Sequence, residues 1–370
     1  MRMIPRRAAF VLICALLTIS AYLRSADTIP SDIDPRTFWR MVTEMSEESG
    51  YFRFQFMSNE VEFPSVIPEL KKNVKPGGVY LGVGPEQNFT YIAAIQPRIA
   101  FIFDIRRDNM IEHLIYKAIF ETSANRAEFV SKLFSRKPTA PLSEKSPVRA
   151  LFRAYTAARP DSQLFKQNLQ SIKTTLSQFQ FGMKDLAEVD EIYGTIFRTG
   201  PGIDYSGFAG GYRDVSGYAA LMTASDDQGQ AWSYLASEEN FQFVRKMERK
   251  NLIIPLVGDF AGPKAVRAVG AYLKEHGAPV TMFYTSNVEQ YLFQQGDDWR
   301  RYYSNVATLP MDASSIFVRS SHYAFGPASQ RSRQFAGMNY VMLLCSIPDL
   351  TKAFTAGRVR SYDDVIRLSH

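Results

Sequence analysis

Residues 79–104 read VYLGVGPEQNFTYIAAIQPRIAFIFD. Two short apolar runs, Val79–Gly84 and Ile99–Phe103, bracket a stretch from Glu86 to Ile95 that fits a helix. The second run is apolar at every position, as a strand covered on both faces requires, and it ends at Asp104. Lys75-Pro76-Gly77-Gly78 forms a turn that launches the first strand, and Pro97-Arg98 punctuates the chain before the second. A further helix, from about Asn109 to Phe120, sets Met110, Leu114, Ile115 and Ala118 on one face. Strand, helix, strand and helix in so short a span predict a βαβ unit.

The alternation resumes downstream. Tyr218–Met222 is read as a third strand, Glu238–Arg249 as a helix, and Leu252–Val257 as a strand closed by Gly258-Asp259. Pro263 is placed to begin a helix that runs to His276, and Pro279–Tyr284 follows as a strand. Ser286-Asn287-Val288-Glu289 has the S-x-x-E form of a capping box opening the next helix. Such repetition predicts an α/β fold with a doubly wound, mostly parallel sheet.

Outside this pattern, residues 27–75 read as an N-terminal helical and lid segment. The stretch from Lys137 to Pro160 is rich in proline, and helical periodicity follows at Leu164, Phe165, Leu169, Ile172 and Leu176. Residues of about 137–200 are therefore expected to form a helical insertion covering one end of the sheet, within an α/β domain of 76–330. Residues 331–370 are expected to be a C-terminal extension.

With 370 residues, 46% hydrophobic and 13% aromatic, the chain has ample apolar material for a globular core. The net charge of +6 comes from 43 basic and 37 acidic residues spread along the sequence, which argues against a nucleic-acid partner. The only two cysteines, Cys14 and Cys345, exclude a disulfide framework, and the four histidines lack metal-ligand spacing. No metal is expected. There is no Gly-x-Ser-x-Gly elbow or P-loop lysine, so serine hydrolysis and phosphoryl transfer lack a starting residue.

Arg2, Arg6 and Arg7 precede an uncharged apolar run from Ala8 to Leu23, and Asp27, Asp32 and Asp34 follow it. Residues 1–26 are therefore expected to form an N-terminal leader helix of the signal-peptide or signal-anchor type, with the remainder of the chain exported to the periplasm or beyond; a buried N-terminal helix is the other reading. Ile19-Ser20-Ala21 is an acceptable cleavage site; an uncleaved leader would touch the inner membrane through residues 8–23. No feature of the sequence sets an oligomeric state.

In an open parallel sheet, ligands sit beyond the carboxyl ends of the strands. The first such loop, Gly82-Val83-Gly84-Pro85-Glu86-Gln87, pairs glycines that let the backbone approach a small-molecule ligand with a helix N-terminus. The second opens with Asp104, whose carboxylate suits ribose hydroxyls. Glycines after one strand and an acid about twenty residues on form a nucleoside-binding arrangement, with Gly82, Gly84, Glu86 and Asp104 as its candidate residues.

Across roughly Tyr51 to Arg319 the chain resembles the class I S-adenosylmethionine-dependent methyltransferases. It is closer to an uncharacterised bacterial group with a similar Gly-Val-Gly-Pro-Glu-Gln-Asn-Phe-Thr-Tyr and Asp-Ile-Arg-Arg pair. The resemblance implies a Rossmann-like sheet, S-adenosylmethionine as cofactor, Gly82 and Gly84 beside its methionine part and Asp104 on its ribose. It also implies that Gly258-Asp259-Phe260-Ala261-Gly262 meets the methyl acceptor. Asp259 would then orient or deprotonate a substrate group, with a helix cap as its other reading. Tyr284 and Asn287 are candidates for the same crevice. Two positions depart from the family pattern: Tyr80 replaces the usual acid and Glu86 the third glycine. Two functions are therefore carried forward, methyl transfer to an unknown acceptor and a non-catalytic envelope binding protein that keeps the fold without the cofactor.

Overall fold

The structure is a computed structural model and describes residues 28–52, 56–206, 217–322 and 340–370. The leader, with its apolar run 8–23, lies outside the described residues. Among those described, no helix is long and apolar enough to cross a membrane.

The fold is mixed α/β around one six-stranded sheet. Its strands are β1 (Val79–Val83), β2 (Ile99–Asp104), β3 (Ile253–Val257), β4 (Val280–Ser286), β5 (Met311–His322) and β6 (Tyr340–Ser346). They lie in the order β3-β2-β1-β4-β5-β6, the first five parallel and β6 antiparallel to β5. The sheet thus continues past residue 330, into the stretch expected to be an extension.

Burial explains the strands. Every residue of β2 is buried, with Phe101 and Phe103 meeting Tyr272 and Phe260 on one face. Pro255 sits within β3 opposite Ile102, where it cannot donate to a ladder; β3 tolerates it because it is the outer strand of the sheet. Helix Gln87–Ile95 joins β1 to β2, and helix Arg107–Thr122 follows β2 and packs on β2 and β3. The first helix of the described chain, Pro35–Met45, has Asp34 as its N-cap, accepting from the amides of Arg36 and Thr37.

Two expectations need correction. Tyr218–Thr223 is a helix, not a strand: Tyr218, Leu221 and Met222 are buried at helical spacing and the small Ala219 and Ala220 intervene. A five-residue apolar run does not distinguish the two periods by itself. Ser286 caps nothing; β4 runs through it, the next helix is Val288–Leu292, and Glu289 is committed to Arg319 instead.

The stretch read as a helical insertion carries the helices Val148–Thr156, Ser162–Leu176 and Met183–Thr199. Its last two helices pack outside Arg107–Thr122, which is consequently buried between sheet and insertion from Asn109 to Phe120. An ion pair between Arg107 and Asp185, at 2.7 Å, ties the two layers together.

Candidate functional site

Strand order reverses at β1, whose neighbours are β2 on one side and β4 on the other. The connections on either side diverge from that point and leave a crevice beyond the carboxyl ends of the strands. A cleft enclosing about 970 Å³ of empty space, its open mouth included, lies there. Its walls come from the ends of β1 to β4 and from Tyr51, Phe52, Ser58 and Asn59; residues 137–200 contribute nothing to it.

Gly84 and Asp104 meet in this cleft. Val83 is in register with Phe103, and the Gly84 amide donates to the Phe103 carbonyl at 3.0 Å, which sets Gly84 beside Asp104. Gly84 has φ +78°, a left-handed backbone that favours glycine, and a Cβ built there would meet nothing within 4 Å. Its carbonyl accepts from His113 Nε2 at 2.9 Å. Burial drives the His113 pKa down to about 4, so the ring is neutral and holds the loop by one N–H.

Gly82 and Glu86 do not line the cleft. A Cβ on Gly82 would come within 1.9 Å of Asn88 Oδ1 and 2.6 Å of the Tyr80 hydroxyl, so glycine is required by packing beneath the loop. Tyr80 donates to Asn88 Oδ1 at 2.8 Å, and Asn88 Nδ2 donates to the carbonyls of Val83, Gly84 and Pro85. Tyr80 therefore shapes the loop from below. Glu86 is fully buried and accepts the Ser58 amide at 3.1 Å, with its pKa pushed up to about 8 by burial. It ties Ser58 to the glycine loop.

Asp104 is nearly buried and lines the cleft. Its Oδ1 accepts the backbone amide and Nε of Arg106 at 2.8 and 3.1 Å, and Oδ2 accepts Nη2 at 3.0 Å. Oδ2 keeps acceptor capacity for a ligand hydroxyl, but the carboxylate's charge is met by the guanidinium.

Asp259 also lines the cleft, on the loop after β3. Because β3 lies outside β2, that loop sits next to Asp104: the Gly258 amide donates to the Asp104 carbonyl at 2.8 Å. Asp259 Oδ1 accepts the Ala261 amide at 2.8 Å. Its pKa is raised by burial, and by Glu47 and Asp298 nearby. The cap of the following helix is Glu47, which accepts the amides of Lys264 and Ala265, so the capping role read for Asp259 falls away.

Tyr284 and Asn287 lie at the other side of β1, at the end of β4, and both line the cleft. Tyr284 donates to Glu60 Oε2 at 2.6 Å, and Ser286, held at φ +50°, donates to Glu60 Oε1. Glu60 is 2% exposed, and burial raises its pKa against the hydroxyls that hydrogen-bond to it. Sequence reading missed Glu60, Ser286 and Asn88. Glu60 lies 224 positions from Tyr284, so no local motif could announce it, whereas Asn88 was inside the quoted loop and could have been tested as its brace.

Electrostatically the cleft is one-sided. Among the described residues its walls hold the carboxylates Asp104 and Asp259, no lysine, arginine or histidine, and the rings of Tyr51, Phe52, Phe260, Tyr284 and Tyr291. Among the described residues no group of three or more His, Cys, Asp or Glu side chains could hold a metal ion.

Residues 55–346 match the family described as a domain of unknown function (DUF7790), and the chain belongs to that family. The match spans all six strands and nearly the whole cleft. No curated protein matches the chain.

Proposed function

We propose that this member of the family is a methyltransferase-like protein whose cleft binds S-adenosylmethionine through a Rossmann-like, doubly wound sheet. The observation that carries the reading is the meeting of Gly84 and Asp104 at the point where strand order reverses. The donor set fits the group. A left-handed glycine and Asp104, whose Oδ2 keeps acceptor capacity, line the cavity, and aromatic walls that hold no cationic side chain among the described residues suit a sulfonium nucleoside. A dinucleotide would bring a pyrophosphate to walls that carry two carboxylates, which disfavours the obvious rival.

When bound, that cofactor supplies an activated methyl group. The chain's own contribution is positional. Gly84 and Asp104 would hold the nucleoside, and the strand order moves the acceptor side from Asp259 to the end of β4, where Tyr284, Ser286 and Asn287 face the cleft. Alignment of methyl group and nucleophile would carry most of the rate gain.

A second reading, a fold-retaining binding protein of the envelope without the cofactor, draws on two observations. Both oxygens of Asp104 are already engaged by Arg106, and the leader pattern places the domain away from the cytoplasm, where S-adenosylmethionine is made. Thermal denaturation with separate additions of S-adenosylmethionine, NAD and ATP tests the proposal. At a hundredfold excess over Kd, a ligand specific for the native state adds about 2.7 kcal/mol. A rise in Tm with S-adenosylmethionine alone supports methyltransferase-type binding; no rise with any of the three supports the second reading.

A further inference from the structure

The two carboxylates of the cleft are not equivalent. Asp104 is clamped by Arg106, whereas Asp259, among the described residues, accepts only a backbone amide and has no ion-pair partner. Among the described residues, Arg301 acts on it electrostatically and is itself bonded to Asp298. Glu47 lies on the other side, its carboxylate hydrogen-bonded to the Asp259 amide at 3.3 Å, and Lys264 sends its ammonium to the Ser46 carbonyl. The nearest charges therefore leave that wall negative. The rings of Phe52, Tyr291 and Tyr284 add faces that attract a cation.

We propose that Asp259 makes the cleft charge-selective, so that it favours a cationic sulfonium nucleoside over the neutral thioether left after methyl transfer. The inference rests on the nucleoside reading above and deepens it: the role of Asp259 moves from acceptor chemistry to ligand discrimination and product release. S-Adenosylmethionine and S-adenosylhomocysteine differ by one methyl group and one positive charge, so they isolate this effect. A unit charge several ångströms from an uncompensated carboxylate in a partly buried site is enough for about a tenfold preference.

Equilibrium dialysis of the full chain in mild detergent against each of the two compounds tests the proposal. The native protein should hold S-adenosylmethionine about tenfold more tightly. Asp259→Asn keeps the Oδ1 acceptor for Ala261 and should bring the two affinities within about twofold, leaving that of S-adenosylhomocysteine unchanged, while Asp259→Glu restores the preference. Melting temperatures of the variants verify that the loop is intact. Equal affinities in the native protein, or a preference that survives in Asp259→Asn, would overturn the charge selection and leave the nucleoside reading standing. Retention of neither compound would remove both.

Discussion

At the scale of single residues, the two glycines of the quoted loop look alike in sequence and differ in cause. Gly84 answers to backbone geometry; Gly82 answers to the space that Asn88 and Tyr80 need. Gly84→Ala should cost about 1–2 kcal/mol, the strain of an alanine at positive φ. Gly82→Ala should cost more, about 2–3 kcal/mol, by breaking the Tyr80 to Asn88 brace. Urea denaturation of the two variants measures the difference, and the reverse ranking would refute the brace.

Two buried groups beside the same loop titrate in opposite senses. Glu86 has a folded pKa of about 8 against an ordinary 4.5, so the native state binds more protons and stability falls as pH rises through that window. His113, at about 4 against 6.5, withdraws stability as pH falls through its own window. Glu86→Gln, which keeps an acceptor for Ser58, should flatten the alkaline decline of Tm between pH 4.5 and 8 and leave the acid side unchanged. An alkaline limb identical to that of the native protein would show that Glu86 does not ionise in that range.

At the scale of elements, β1 to β4 were legible because each holds a largely apolar run that stops close to a glycine, aspartate or serine. Their lengths matched closely, and Ile99–Asp104 was read to within one residue. What sequence could not show was competition between distant side chains. Ser286 had the spacing of a helix cap, but a buried glutamate on another segment claims its hydroxyl. Glu289, the other half of that apparent box, is fully buried with Arg319 and Tyr303, joining the helix after β4 to β5. Arg319→Met should therefore cost about 3–5 kcal/mol by leaving Glu289 uncompensated, and adding Glu289→Gln should recover part of it. Additive losses in a double-mutant cycle would deny the coupling.

At the scale of the whole molecule, Gly84, Asp104, Asp259, Tyr284 and Asn287 share one cleft, which Tyr51, Phe52, Ser58 and Asn59, from the segment 27–75 read as helical and lid, also line. The rule that ligands gather where strand order reverses placed Gly84, Asp104, Asp259, Tyr284 and Asn287 together. Residues 137–200, expected to cover one end of the sheet, pack through their last two helices on Arg107–Thr122 and line none of the cleft. The order of strands, which no periodicity encodes, moved Asp259 to the same side of the cleft as Asp104. The export read from the leader makes a separate prediction: a reporter active only outside the cytoplasm, fused after His370, should be active. An inactive reporter would refute export.

The central claim is that the walls around Gly84 and Asp104 form a nucleoside site. Calorimetric titration of the full chain with S-adenosylmethionine tests it most directly. The account predicts saturable heat with a micromolar Kd that is lost in Asp104→Asn, a change that keeps an acceptor for the Arg106 amide; absence of heat at millimolar ligand, or undiminished binding in the variant, would contradict it.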